Sequence, residues 1–453
     1  MPFHLGKPIL VMLAVALFTG GFVAMRPNQR KADLTMWVFA DSHYQAFNNL
    51  VPTFEQRTGL SVNLNLVVGQ AMDLRLLSLF MTNPKSEQLP DVVEIEIGLV
   101  GRYFRPPLDE VGFIPLNDML KESGWLDKIV RQRFTPWTKE NVIFGIPHDV
   151  HPVTILYRDD LYREAGIDLS QAKTWPEFHE ACLKFEQYWR AKGYKERHAL
   201  EAAPGDPSII QQILLQRHIN MIDQYNQVHI NDPRVTQTVC FYAQLVAGPR
   251  AVGGFSMPAG GVGALSNDVN GGNICAFFTA DWRLTYLKKF AGETAGKMRM
   301  MPLPKFDPTD APTSTWGGTM VGITKACKDP KRAFKLIEFL YFSPEGIRTR
   351  QQTTDILPPL KTAWSDEIYH RPDPFLGGQR GAELYTQLAH QLPERFQSPA
   401  SPLAAVALQY VLNNCVSYIK DHNSADGLEA RCQHWLDFAA KDLNRRIEHW
   451  RVD

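Results

Sequence analysis

Apolar and polar residues alternate along this chain with two periods, and the period switches repeatedly. Residues 34–39 read as a strand ended by the polar pair Asp41 and Ser42, after which Phe47, Leu50, Val51 and Phe54 recur as on one face of a helix. Pro52 lies inside that stretch and weakens the helix reading. Val62, Leu64, Leu66 and Val68 alternate as in a strand, 72–80 reads helical, and Val93, Ile95 and Ile97 alternate again after Pro90-Asp91. Strand, helix, strand, helix, strand predicts an α/β unit with a parallel sheet covered on both faces, whose ligands sit at the carboxyl ends of the strands. The loops after Phe39 and after the Val93 to Ile97 run are therefore the first places to look for chemistry.

Residues 175–250 are helix-rich, and Thr174 followed by Trp175-Pro176-Glu177 reads as an N-cap with proline in the first turn. The Gly-rich stretch 248–272 reads as a loop, 274–279, 300–304 and 320–324 as strands, and 330–342 and 428–450 as amphipathic helices. No repeat, heptad array or low-complexity tract interrupts the 453 residues, so two α/β lobes are the economical organisation.

Composition narrows the function. Forty-eight basic residues balance forty-eight acidic ones, which leaves no global field to hold nucleic acid. Between Lys7 and Arg26 runs an uncharged apolar segment, 8–25, directed to a membrane; it lacks an Ala-x-Ala site and a lipid-accepting Cys, so an uncleaved anchor in 1–32 is expected, although the basic residues after it oppose export of the rest. Six scattered cysteines form no C-x-x-C pair and are expected to be mostly free and buried, with Cys415 and Cys432 the nearest pair. Phosphate-loop, dinucleotide, zinc-protease and nucleophile-elbow motifs are all missing. His148 and His151 flank Asp149 at a spacing that holds a metal only with further ligands, and neither metal nor cofactor is expected.

Several segments together resemble the extracytoplasmic solute-binding proteins of ABC importers, in particular the sugar-binding family that includes maltose-binding protein. They are LTMWVFADSHYQAFNNLVPTFEQRTGLSVNL, PDVVEIEIGLVGRYF, FGIPHDVHPVTILYRDDLYREAGID, GNICAFFTADWRLTYLKKF, STWGGTMVGITKACKDPKRAFKLIEFLYFSPEG and DILPPLKTAW, in the family's order over nearly all of 33–440; Ala280-Asp281 replaces the family's usual Gly-Pro before Trp282. The resemblance implies a two-lobed periplasmic-binding-protein fold of type II with a hinge, one lobe at 33–147 plus 319–365 and the other at 148–318 plus 366–453. It further implies a monomeric, non-enzymatic receptor that delivers a carbohydrate or polyol to permease subunits at the outer face of the membrane.

From the cleft loops implied by that resemblance, the candidate ligand contacts are Asp41, His43, Glu94, Glu96, Asp149, His151 and Asp281 for hydroxyls, Trp282 and Trp316 for stacking, with Trp37 and Trp364 behind them, and Gly317 and Gly318 for close backbone approach or bending. Each has a plainer reading. Glu94 and Glu96 alternate with apolar residues and fit a solvated strand face, with one of the two taken as ligand-facing; Trp37 fits a core, the two histidines fit ordinary loops, and Arg380 fits either an acidic ligand or a structural cap. The acidic set favours a neutral or cationic ligand, which leaves a polyamine receptor, a sensory binding protein and a carbohydrate hydrolase as rivals.

Overall fold

The computed structural model describes residues 32–104, 107–255 and 262–449; the apolar segment 8–25 and its anchor reading lie outside them, and among the described residues no helix is long and apolar enough to cross a membrane. Eight strands carry the two main sheets: β1 (Leu34–Val38), β2 (Val62–Leu66), β3 (Val92–Glu96), β4 (Ile146–Pro147), β5 (Thr154–Arg158), β6 (Ala276–Thr279), β7 (Met298–Met301) and β8 (Thr319–Ile323). The first sheet has the order β2-β1-β3-β8-β4 and the second β6-β5-β7. β1 runs parallel to β2 and β3, as the alternating pattern requires, whereas β8 returns antiparallel to β3 and pairs Thr319 with Glu96. The start of β8 is thereby fixed beside the carboxyl end of β3.

Helix α1 (Asp41–Thr58) follows β1, and α2 (Gly69–Thr82) follows β2. Pro52 stays inside α1 because it and Asn48, whose carbonyl it leaves without a helical donor, both face solvent. Phe47, Leu50 and Phe54 bury the inner face against Met36 and Val38 of the first sheet. Over the second sheet lie α3 (Trp175–Ala191), α4 (Ser208–Gln216) and α5 (Pro233–Val246), with α3 opened by a full capping box in which Thr174 and Glu177 satisfy each other's backbone. The Gly-rich stretch is not all loop: Val262–Gly271 is helical, with Leu265 and Val269 buried. Helix α6 (Asp281–Phe290) follows β6, α7 (Pro330–Phe342) and α8 (Pro344–Thr353) pack back toward α1, and α9 (Ser401–His422) and α10 (Leu428–His449) complete the second layer. All six cysteines are free, and Cys240, Cys415 and Cys432 share the core formed by α5, α9 and α10.

Three chain segments join the two lobes, and they run side by side. His148 N donates to Thr319 O at 2.9 Å, Val150 N to Leu357 O at 3.1 Å, and Val153 N to Ser314 O at 3.1 Å. Backbone hydrogen bonds thus bind 148–153, 313–319 and 354–360 into one flat connection at the base of the cleft.

Candidate functional site

The expected contacts fall into three groups. At the crossing, Asp149 is fully buried and saturated: its carboxyl accepts from Arg133 Nη2 at 2.7 Å and Thr319 N at 3.0 Å, and lies 3.1 Å from His151 Nε2. Arg133, itself 1% exposed, also donates to Asp149 O and to Thr315 Oγ1. His151, at φ 55°, holds Asp281 through Nδ1, and Asp281 accepts in addition from Trp282 N at 2.8 Å and Leu357 N at 2.7 Å. Burial alone would lift the Asp149 pKa, but the His151 charge, the close approach of His148 and His151 and the Arg133 guanidinium hold it well below the usual range. Burial opposes a charged His151 too, yet Asp149 and Asp281 push it up to about 9.

Asp149, His151 and Asp281 therefore do not reach into the cleft as free hydrogen-bonding groups; their capacity is spent tying the crossings together. Glu94 is corrected in the same way. It is fully buried, with Oε1 accepting from the Tyr341 hydroxyl at 2.5 Å and Oε2 2.9 Å from His43 Nδ1, because α7 covers the strand face that the alternation left open to water. His43 packs its ring 3.9 Å from that of His148. Burial, with help from His43 and Arg350, keeps the His148 pKa well below normal.

The second group is exposed or structural. Asp41 begins α1 on the surface and accepts from Gln45 at 2.6 Å. Trp364 is buried in the core beside the second sheet, with Nε1 on Pro358 O, and Trp37 is buried under Arg75. Neither indole presents a free face for stacking. Arg380 is exposed and sits 3.5 Å from Glu383, the structural alternative.

The third group comprises Glu96 at the end of β3 and Trp282, Trp316, Gly317 and Gly318 beside the crossings. Glu96 ends β3 half-buried and caps Gly98 N at 2.7 Å; burial raises its pKa, and Arg395 counteracts part of that rise. A cavity of about 170 Å³ opens there, lined by Gly98 from the first lobe and by Gln211, Gln212, Asn220, Arg395 and Gln397 from the other side. Burial draws the Arg395 guanidinium down to about 10 while Glu96 opposes the change. Gln212 also accepts from Ser314 at 3.4 Å, which ties the cavity wall to the crossing that leads to Trp316. Trp282 and Trp316 stand edge to face with centroids 5.9 Å apart, Nε1 of the former donating to the carbonyl of the latter, and both rings remain half-buried. Gly317 and Gly318 follow at φ 85° and 150°; a Cβ on Gly318 would collide with Arg133 Nη2.

Arg133, Gln212 and Arg395 carry no motif, and composition gives no reason to single them out. A larger groove of about 710 Å³, lined by Trp125, Phe342, Gln351 and Tyr369, lies away from the strand ends and the tryptophan pair. The cavity thus offers amides and a guanidinium, with a carboxyl and an aromatic corner elsewhere in the third group, chemistry suited to a polyhydroxylated ring.

Known proteins agree with this architecture. The arabinooligosaccharide-binding protein of Bacillus subtilis (strain 168) is 21% identical over 369 residues, covering 79% of this chain and 81% of its own. The sugar-binding protein MalE from Xanthomonas citri superposes with a TM-score of 0.72 at 17% identity, over 92% of this chain and 99% of its own. The ABC transporter associated binding protein from B. animalis subsp. lactis Bl-04, solved with β-1,6-galactobiose, gives 0.65 at 18% identity, over 90% and 98%. These structures share the two-lobed type II periplasmic-binding-protein fold. Residues 50–373 match the family model described as bacterial extracellular solute-binding protein, and the chain belongs to that family.

Proposed function

We propose that the protein captures a carbohydrate in the cleft between lobes 33–147 plus 319–365 and 148–318 plus 366–453, and presents it to the permease subunits of an ABC importer, held at the outer face of the membrane through the segment 1–32. It binds and releases without breaking bonds. The observation that carries this reading is the cavity in which Gly98, just beyond the end of β3, meets Gln212 and Arg395 from the later part of the chain, with Glu96 close enough to act on Arg395 electrostatically. A ligand held by both walls favours the closed arrangement of the lobes, and the permease reads that arrangement. The named ligands of the relatives, arabinooligosaccharide and β-1,6-galactobiose, support a short oligosaccharide as the class.

The structure weakens one rival. Glu94, Asp149 and Asp281 are engaged by Tyr341, Arg133, His151 and backbone amides, so little unpaired negative charge is left to attract a polyamine. The test is a thermal-shift screen of the chain against arabino- and galacto-oligosaccharides, other sugars, polyols and polyamines, followed by chromatography of the recovered ligand. A dose-dependent rise with intact sugar is expected. Consumption of the sugar would make the protein a hydrolase, and a response to polyamines alone would sink the carbohydrate reading.

A further inference from the structure

We propose that His43, Glu94 and His148 form a binding site for a divalent transition-metal ion of the zinc type. The three side chains come from different parts of the chain, the start of α1, the middle of β3 and the first crossing, yet one ligand atom of each lies within 4.8 Å of the others. All three are buried, at 6%, 0% and 1% exposure. His148 supplies the independent observation: its Nε2 has no hydrogen-bond partner, its Nδ1 has only a long 3.4 Å approach to Asp149 Oδ2, and its ring lies against that of His43. An imidazole sealed from water with an unsatisfied ring nitrogen is destabilising, and a metal bond at that nitrogen removes the penalty.

The donor set suits the assignment. Two imidazoles and one carboxylate, without sulfur, match zinc and its neighbours rather than calcium or magnesium, which prefer oxygen alone. A tetrahedral ion with bonds of about 2.0–2.1 Å needs donors about 3.3 Å apart, so the His43–Glu94 pair, at 2.9 Å, opens by a few tenths of an ångström while the three atoms, all within 4.8 Å, settle around the ion, and water takes the fourth position. The outer shell is already in place. Tyr341 donates to the Glu94 oxygen turned away from His43, and Asp149 Oδ2 lies 3.4 Å from His148 Nδ1, so the Nε2 edge of His148 is left to the ion. An ion here pins the first crossing to α1 and β3, on the first-lobe side of the hinge, and is independent of the sugar reading.

The test uses the full-length chain in mild detergent, stripped with EDTA and titrated with Zn2+ in competition with a chromophoric chelator. One ion per chain is expected, with affinity falling at least tenfold in His148→Gln and in His43→Gln and unchanged in the control His229→Gln at the exposed surface. Cobalt(II) loaded into the unmodified chain reports directly, since a tetrahedral site with nitrogen ligands gives an intense visible spectrum, whereas adventitious surface binding gives a weak octahedral one. This spectrum keeps the test decisive if the variants fold poorly. No stoichiometric ion on the unmodified chain, or equal affinity in the two histidine variants and the control, overturns the proposal.

Discussion

Replacing Asp149 by Asn keeps the shape of the side chain and removes its charge, which separates two roles for this residue. As a ligand contact it would affect binding alone. The structure instead gives Asp149 four neighbours inside the hinge: Arg133 at 2.7 Å, Thr319 N at 3.0 Å, His151 at 3.1 Å and His148 at 3.4 Å. With the charge gone, a guanidinium that is 1% exposed loses its counter-ion, and the amide presents a second donor group where two donors already point. Breaking one partner of a buried pair costs about 3–5 kcal/mol. At about 2.1 cal/mol/K per residue, a chain of this length carries an unfolding entropy of about 0.9 kcal/mol/K, so the melting temperature of the ligand-free protein falls by about 4 °C if the lobes unfold together. Urea unfolding should show a lower midpoint at unchanged slope, the mark of lost stability rather than an altered denatured state. A variant that melts within a degree of the unmodified chain while binding sugar ten times more weakly would refute the hinge assignment and return Asp149 to the cleft.

Other expectations separate cleft from hinge in the same way. Trp316→Ala should weaken sugar binding by roughly tenfold or more in calorimetry while leaving the ligand-free melting temperature within about 2 °C, because the indole is half-buried and its loss opens no sealed cavity. His151 has a folded pKa raised to about 9 against 6.5 in the unfolded chain, so its contribution, about 3 kcal/mol, is fully present below about pH 6.5 and disappears as the pH rises through about 9. The difference in urea midpoint between the unmodified chain and His151→Gln should shrink over that window, and a flat difference would contradict the charged state. Gly318→Ala brings a Cβ against Arg133, which three hydrogen bonds hold in place, at a φ of 150°; a loss of about 1–3 kcal/mol is expected by denaturation, and an unchanged midpoint would mean that Arg133 moves freely.

Much of the architecture is legible in the residues because local signals and tertiary packing agree. The alternation in β1, β2 and β3, the i, i+3, i+4 spacing of Phe47, Leu50 and Val51, and the Thr174 to Glu177 capping box each specify an element without help from the rest of the chain. The site is legible only in part. Trp282, Trp316 and the glycine pair follow from the family resemblance and from their loop positions, and the structure brings them together. The carboxyls mislead for a definable reason: alternation gives the pleat of β3 but not what covers each face, and Glu94 points beneath Tyr341, 247 residues away in sequence. Arg133 is missed because its partner Asp149 lies 16 residues on, across a 3-10 turn and a short hairpin, a separation that follows no helical or strand period.

The same misreading explains why charge sits where it does. Where the lobes join, the chain has to cross through the interior three times, and each crossing exposes backbone donors to a region without water. Carboxylates answer that need: Asp149 takes Thr319 N and Asp281 takes Leu357 N, while Arg133 and protonated His151 neutralise the charge so introduced. A network in which every oxygen of Asp149 and Asp281 is engaged resists shear but permits bending at the flanking glycines, which is the mechanical requirement for lobes that move as rigid bodies. On the proposed reading, ligand selectivity then falls to groups outside this network, among them Arg395 and the half-buried Trp282 and Trp316. Arg395 lines the cavity and Glu96, at the end of β3, acts on it electrostatically, so on the proposed reading an incoming ligand meets one charge of each sign. A neutral polyol does so without stranding either charge, whereas an anion would leave Glu96 opposed and a cation would leave Arg395 opposed.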